Sequence, residues 1–270
     1  MSRGSPSSGD TAASRLEAAL MAAITRGDLR PGDLMPTTAE LAATYGVNKN
    51  TASKVVAGLK ARGVLSGPPG GRTRVRVRPR QVTRDNSRYH EEKTRVLLPE
   101  AERAGYGIAE AATGQSVREL HEDLYHYEVV AGPEDVRSIL GVTGDEKVLQ
   151  RTYTRRHAAH AGVSMSTSYL PYALVSSNPD LLESRKEPWP GGTMHQLYTV
   201  GVELGRIDDH ITASIPTTEE QQRLDIPTGV PLMRIRKISY DVNGKAVEVA
   251  DIPLPADRAE LIYRTPLERW

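Results

Sequence analysis

Residues 48–54, Asn-Lys-Asn-Thr-Ala-Ser-Lys, put two amides, two ammonium groups and two hydroxyls within seven positions. An amide such as Asn48 or Asn50 can pair with the N6/N7 edge of adenine, and Lys49 or Lys54 with the O6/N7 edge of guanine. The hydroxyls of Thr51 and Ser53 suit backbone phosphate. Further on, Arg72, Arg74, Arg76 and Arg78 recur at every second position. An extended chain would carry them on one face, where they repel unless an anion lies against them. Together these groups offer the chemistry of double-stranded nucleic acid: a polyanion with readable edges.

The surrounding residues predict the elements that must position this chemistry. Leu16, Leu20 and Ile24 make an apolar stripe on a helix over 12–25. Thr37 and Glu40 have capping-box spacing, so a second helix starts at Thr37 or Thr38, and Gly46 closes it. Asn48 is a good N-cap for a third helix ending near Gly63. Ala52, Val55, Val56 and Leu59 share one stripe of it, which leaves Asn50, Ser53, Lys54 and Ala57 on the opposite side. Val64-Leu65 and Val75–Val77 flank GPPGGRTR as a β-hairpin. Helix, turn, helix and basic hairpin compose a winged helix-turn-helix over 12–78, whose second helix of the pair enters the major groove. Thr37 and Thr38 can also offer hydroxyls to phosphate at a helix N-terminus.

Charge is divided along the chain. Residues 1–80 hold 13 basic and 5 acidic residues, net +8, and the remainder holds 22 and 29, net −7. The basic part suits a polyanion and the acidic part does not. There is no cysteine, which excludes disulfides, cysteine nucleophiles and cysteine zinc sites and fits a cytoplasmic setting. No apolar run approaches the ~20 residues that span a bilayer. Residues 1–11 have no apolar segment, so a disordered leader is expected rather than a secretory signal.

Residues 79–95 are polar without periodicity and are expected to be a linker; Glu91-Glu92, with His90 and Lys93, read as its solvated face. From 96 to 270 the pattern predicts strands in HEDLYHYEVVAG, KVLQRTYTRRH, GVSMSTSYLP, ELGRIDDHITASI, PLMRIRKISYDV and AVEVADIPLP. Short helices are expected in PEDVRSIL, in TTEEQQRLDI and after WPGG, and Asn243-Gly244 is a hairpin turn. Strands and helices mix without a regular βαβ period, so this part is α+β with a largely antiparallel sheet. Gly191-Gly192-Thr193 opens a helix whose N–H groups could cradle an anion, although a plain loop-to-helix cap explains it more simply. His157-x-x-His160 has ligand-like spacing but no third ligand nearby, so no metal is expected.

The head resembles the GntR family of bacterial transcription regulators through Gly27-Asp28-Leu29, Pro31-Gly32-Asp33, Leu34-Met35-Pro36-Thr37, Glu40-Leu41-Ala42, Gly46-Val47, Thr51, Leu59 and Gly63-Val64-Leu65. The second part resembles the UTRA effector-binding domain of the HutC subgroup through SYLP at 168–171, PGGT at 190–193, 226–237 and 243–258. The resemblance implies a chorismate lyase-like fold and a homodimeric regulator, usually a repressor. It implies binding to a double-stranded operator, modulation by a small polar effector, and no cofactor.

The chain also departs from the family pattern. Thr37-Thr38-Ala39-Glu40 lacks the arginine of the usual Ser-Glu-Arg-Glu, Lys49 and Ser53 replace arginines of the third helix, and Arg72 stands where a wing-tip glycine is usual. Aligned through SYLP, the family's pocket implies Arg156 as a cation, with Arg155 and Arg151 as alternatives, and Glu248 as its acid; Ser166 stands where the family often has an acidic residue. From the residues themselves, Ser166, Ser168, Tyr169 and Thr193 are further candidates. By strand alternation the two serines share one face and Tyr169 takes the other.

Two other readings stand beside this one. A DNA-tethered repressor answering to a protein partner would have its pocket filled by its own side chains. A lyase-like enzyme would need a nucleophile–base pair or metal cluster that the sequence does not display.

Overall fold

The computed structural model describes residues 11–67, 71–77, 81–104, 122–156, 163–227 and 229–267. The expected leader up to residue 10, Gly70, Arg78 and the His157/His160 pair lie outside these residues. Contacts divide the chain into two compact units, residues up to 78 with 215–230, and residues 79–214 with 231–270.

The first unit begins with α1 (Ala12–Arg26), α2 (Thr38–Tyr45) and α3 (Lys49–Ala61). Side chains at the predicted positions fix their ends. Thr37 Oγ1 accepts the Glu40 N–H at 3.2 Å while Glu40 Oε2 accepts the Thr37 N–H at 2.7 Å. Asn48 Oδ1 accepts the Thr51 N–H at 2.7 Å. Gly46 ends α2 with φ 63°, a conformation that costs other residues energy. Leu16, Leu20, Leu41, Ala52, Val55, Val56 and Leu59 bury together with Met35, Leu65 and Val75. Two short strands, β1 (Leu65–Ser66) and β2 (Arg74–Val75), pair antiparallel as the wing. This unit is the predicted winged helix-turn-helix. Thr218–Leu224, a helix with its own capping box at Thr217 and Glu220, falls in the same unit by its contacts.

The second unit opens with β3 (Val82–Asp85), α4 (Arg88–Arg95) and α5 (Glu100–Arg103). It is built on six strands: β4 (Glu122–Val130), β5 (Val148–Arg156), β6 (Val163–Pro171), β7 (Leu204–Ser214), β8 (Leu232–Asp241) and β9 (Ala246–Pro255). Their order across the sheet is β4-β5-β6-β9-β8-β7, and every neighbouring pair is antiparallel.

Each face of the sheet carries its own core. On one, α6 (Glu134–Leu140) packs Val136 and Leu140 onto Val148, Tyr169, Ile238 and Val249. On the other, α7 (Tyr172–Val175) and α8 (Gly192–Tyr198) pack Val175, Met194 and Leu197 onto Leu149, Leu170 and Val247. A last strand, β10 (Ala259–Ile262), runs parallel to β3 in a separate pair. Among the described residues no helix is long and apolar enough to cross a membrane.

The expected linker differs from what folds there: residues 82–85 form β3 and residues 88–95 form α4. The physical reason lies in what α4 covers. Its sequence RYHEEKTR has no fully buried residue: Tyr89 is the one apolar side chain packed against the core under α8, and Arg88 and Tyr89 both line a cavity. A helix recognised by apolar periodicity is invisible when its inward face is charged.

The packing of α3 gives a direct expectation. Leu59 is 1% exposed, so Leu59→Ala should cost about 2–5 kcal/mol, read from urea unfolding followed by circular dichroism. Ala57→Ser, on the exposed side of the same helix, should stay within about 0.5 kcal/mol.

Candidate functional site

On the head, Lys49, Asn50, Ser53, Lys54 and Ala57 are exposed along α3 while Val55, Val56 and Leu59 are buried. A cationic, amide-bearing ridge therefore faces away from the core. Three other predicted contacts are already engaged. The Asn48 oxygen caps the helix, and the Thr37 hydroxyl donates to Glu40 Oε2 at 2.8 Å. Arg74 Nη1 donates to the Gly32 carbonyl at 3.0 Å, tying the wing to the turn before α2. Thr51 is half-buried, its N–H held by Asn48. Thr38 lies half-buried at the start of α2, and Arg72 is exposed beside the wing tip.

In the second unit the register places one row of side chains across all six strands: Tyr127, Arg151, Ser168, Ala250, Lys237 and Asp209 are successive cross-strand partners. Directly opposed residues on one face are the unit of contact in a sheet, so two cations on distant strands end up flanking Ser168 and Ala250. Glu248 and Ser239 oppose each other in the neighbouring row.

Arg151 is 1% exposed and fully engaged. Its Nε donates to Ser168 Oγ at 3.0 Å and its Nη1 to Gln196 Oε1 at 2.5 Å. Its Nη2 donates to Thr193 Oγ1 and to Glu248 Oε1, both at 3.3 Å. The other Glu248 oxygen accepts from Ser239 Oγ at 3.0 Å and lies 2.8 Å from Lys237 Nζ. Burial alone would raise the Glu248 carboxyl; Lys237 and Arg151 outweigh it and hold the group below its ordinary range. Burial would likewise lower Lys237, and Glu248 outweighs it. A second acid, Glu187, accepts from Tyr127, from Tyr153 at 3.2 Å and from Gln196 Nε2 at 3.0 Å.

A cavity of about 500 Å³ opens above this floor. Arg84, Arg88, Arg103, Arg155, Lys237 and Arg258 line it, against Glu100, Glu187 and Glu248. Tyr89, Tyr153 and Trp189 add aromatic faces, and Gly191 and Gly192 bring the start of α8 to its edge.

The structure brings Ser166, Ser168, Thr193 and Glu248 together at this cavity. One expectation is corrected, and one falls on a side chain outside the described residues. Tyr169 lies on the opposite face of the sheet, 8% exposed in the core under α6, as strand alternation requires. Arg156 ends β5 opposite Val163, and its side chain lies outside the described residues. The cations of β5 at the site are its two alternatives: Arg151 in the floor and Arg155 on the wall.

Sequence reading missed Lys237, Gln196, Glu187, Arg84 and Arg88 altogether. A usable signal existed for Arg151. It shares strand parity with Leu149, Tyr153 and Arg155, so one face of β5 runs from apolar core to charged site.

Glu92 of α4 was expected to be solvated. Instead it is half-buried beside the start of α8, where a Cβ on Gly192 would sit 3.1 Å from its Oε1. Burial, the largest influence, pushes the Glu92 carboxyl up to about 7 despite the opposing pull of Lys237 and Arg88; Glu248 adds to the rise.

A winged helix-turn-helix joined to an antiparallel α+β unit with a charged cavity defines a one-component, DNA-binding regulator with a sensor domain. Residues 12–75 match the gntR family of bacterial regulatory proteins, and residues 115–260 match the UTRA domain. The chain belongs to the GntR-family transcription regulators that carry a UTRA domain, the HutC subgroup. Over 242 residues it is 23% identical to the transcriptional repressor NagR of Bacillus subtilis, covering 89% of this chain and 88% of that one. Over 241 residues it is 26% identical to a fructoselysine utilization operon repressor of Escherichia coli, covering 88% of each. A crystal structure of a GntR-family regulator superposes with a TM-score of 0.61 at 23% identity, covering 96% of this chain and 99% of that one. The protein is a transcription regulator.

Two measurements follow from the floor and from Glu92. Arg151→Met leaves Glu248 and Gln196 without their buried partner and should cost about 3–5 kcal/mol in chemical unfolding of the second unit. An ordinary glutamate ionises near 4.5. Between there and about 7 the folded chain keeps a proton that the unfolded chain has released, so the Glu92 contribution to stability falls as pH rises across that window. Glu92→Gln should therefore raise the melting temperature at pH ~8 and change it little at pH ~4.

Proposed function

We propose that two copies of this chain bind a pseudo-palindromic operator in the bacterial cytoplasm, acting as a repressor whose DNA affinity is set by a small polar metabolite in the second-unit cavity. The observation that carries this is the cavity itself. Its volume of about 500 Å³ falls within the range of small-molecule sites, and its walls are charged where a pocket filled by its own side chains would be closed. That also weighs against a repressor answering only to a protein partner.

On the DNA side, α3 supplies base contacts through Asn50, Lys49, Lys54 and Ser53. Thr38, Thr51 and Arg72 supply phosphate contacts. Asn48, Thr37 and Arg74 act mainly by holding α3, α2 and the wing in place, since their polar atoms are already engaged. In the cavity, Ser166, Arg155, Lys237 and Thr193 meet the ligand, while Arg151, Ser168 and Glu248 form the charged floor beneath. Ligand binding shifts population away from the DNA-competent state because the ligand favours the other.

The test is to sequence the genomic fragments that the protein selects, with and without a metabolite extract. An inverted repeat that is released by extract supports the reading, and failure to enrich any sequence at low and moderate salt would sink it. With the operator in hand, Asn50→Ala should cost about 1–3 kcal/mol and relax preference at one base pair per half-site. Arg72→Ala should weaken all sequences alike and reduce the salt slope by about one.

A further inference from the structure

The first unit is not one stretch of chain. Ile215–Val230 belongs to it by contacts, although this segment leaves the end of β7 at Ser214 and returns to β8 at Leu232. A hairpin between neighbouring antiparallel strands commonly needs about two to five residues, and this excursion is far longer. It is also folded. Its helix α9 (Thr218–Leu224) starts from a capping box, in which Glu220 Oε2 accepts the Thr217 N–H at 2.8 Å, and ends at Asp225 with φ 51°. A helix of two turns does not hold itself together in water. Burial holds this one: Leu224 is 1% exposed, and Pro216, Ile226 and Val230 are buried with it.

The segment meets the end of α3. Gly229 lies so close to the Ala61 carbonyl that a Cβ on it would fall on that oxygen, with the Arg62 Cα next in reach. From the other side, a Cβ on Gly63 would stand 3.4 Å from a Val230 methyl. Two backbones thus approach across two glycines. At Gly63 the left-handed turn after the Arg62 cap already asks for glycine. At Gly229 the backbone does not, since its φ lies outside that region; only the Ala61 carbonyl forbids a side chain there.

Ala61 is the last residue of α3, the helix that presents Lys49, Asn50, Ser53 and Lys54. The segment therefore seats on the recognition helix at its far end, while its own two ends run into strands of the sensor sheet. β8 is one of them, and its Lys237 and Ser239 complete Glu248 in the cavity floor. The segment is also acidic within a basic unit, with Glu219, Glu220 and Asp225 against Arg223. Lys54 lies seven residues before Ala61, so DNA on α3 comes within ~10 Å of the seat along the helix, about one Debye length.

We propose that Ile215–Val230 is the coupling arm of this regulator. It is seated on Ala61–Gly63 when the head is free and released when DNA is bound, and β7 and β8 carry that change to and from the sensor sheet. The proposal goes beyond the effector reading and needs only that the head bind DNA. Coupling between two sites is reciprocal, so DNA on the head must act back on the arm and on the strands that hold it, with no effector present.

Hydrogen–deuterium exchange on the full chain, read by mass spectrometry with and without a random-sequence DNA duplex at low salt, tests this. Without DNA, Gly229→Ala should speed exchange in 218–226 severalfold and leave α3 and circular dichroism unchanged. Val230→Ala, which keeps the glycine and removes the methyl packed on Gly63, should do the same to a smaller extent. DNA should speed exchange in 218–226 of wild type, and in the adjoining strand ends 211–214 and 232–235. Gly229→Ala, already unseated, should bind the duplex severalfold more tightly and show no further change in the arm. Identical exchange in wild type and both variants without DNA overturns the seat, whether or not the duplex binds. A bound duplex that leaves 218–226 unchanged or more protected, or that frees the arm and leaves both strand ends unmoved, overturns the coupling while the head's DNA binding stands.

Discussion

Arg151 and Glu248 stand 97 residues apart in sequence and face each other at 3.3 Å with almost no exposure to water. The rest of the second unit is arranged around that pair. Two charges removed from solvent are tolerable only when every remaining polar atom finds a partner. Here Ser168, Gln196 and Thr193 complete the guanidinium, and Ser239 and Lys237 complete the carboxylate. These partners come from β6, α8 and β8, so satisfying one ion pair between β5 and β9 ties in two more strands and one helix. The pair is weak evidence for stability as such. Its consequence is geometric: a rigid polar floor on which a cavity can stand.

The cavity then works by imbalance. Within the floor, charges are matched and hydrogen bonds complete. On the wall Arg84 has Tyr89 and Asp209 beside it, while Arg88 Nη1 is buried with no hydrogen-bond acceptor among the described residues. Low dielectric strengthens both the matched and the mismatched interactions. The conspicuous arginine, Arg151, organises the site, since all three of its guanidinium nitrogens are already engaged.

The head follows a different logic. Its helices are stopped and started by local devices, the Thr37–Glu40 box, the Asn48 cap and the glycines that follow α2 and α3, and one apolar stripe per helix suffices to assemble them. Polar residues near the DNA-facing side divide into two kinds. Those at caps, Thr37 and Asn48, have their oxygens committed to the backbone. Those further along α3, Asn50, Ser53 and Lys54, are exposed.

What the sequence determined by itself is what neighbours in the chain decide. Caps, stripes and turn residues act within a few positions, so the three helices of the head, the wing, the strands of the sheet and the side each strand residue takes were all legible, including Tyr169 turning away from Ser166 and Ser168. Only tertiary structure decided which cation of β5 lies in the floor, because Arg151 and Arg155 share strand parity and differ in which residues of β6 they oppose, Ser168 or Ser164. It also decided that α4 is a helix at all. Arg88 and Glu92 carry no apolar period, and they become half-buried only when α4 seats Tyr89 against the core of the assembled sheet. Lys237 entered the site for the same reason: a lysine in a strand reads as solvated until the row on which it lies, five partners wide, is assembled by pairing across the whole sheet.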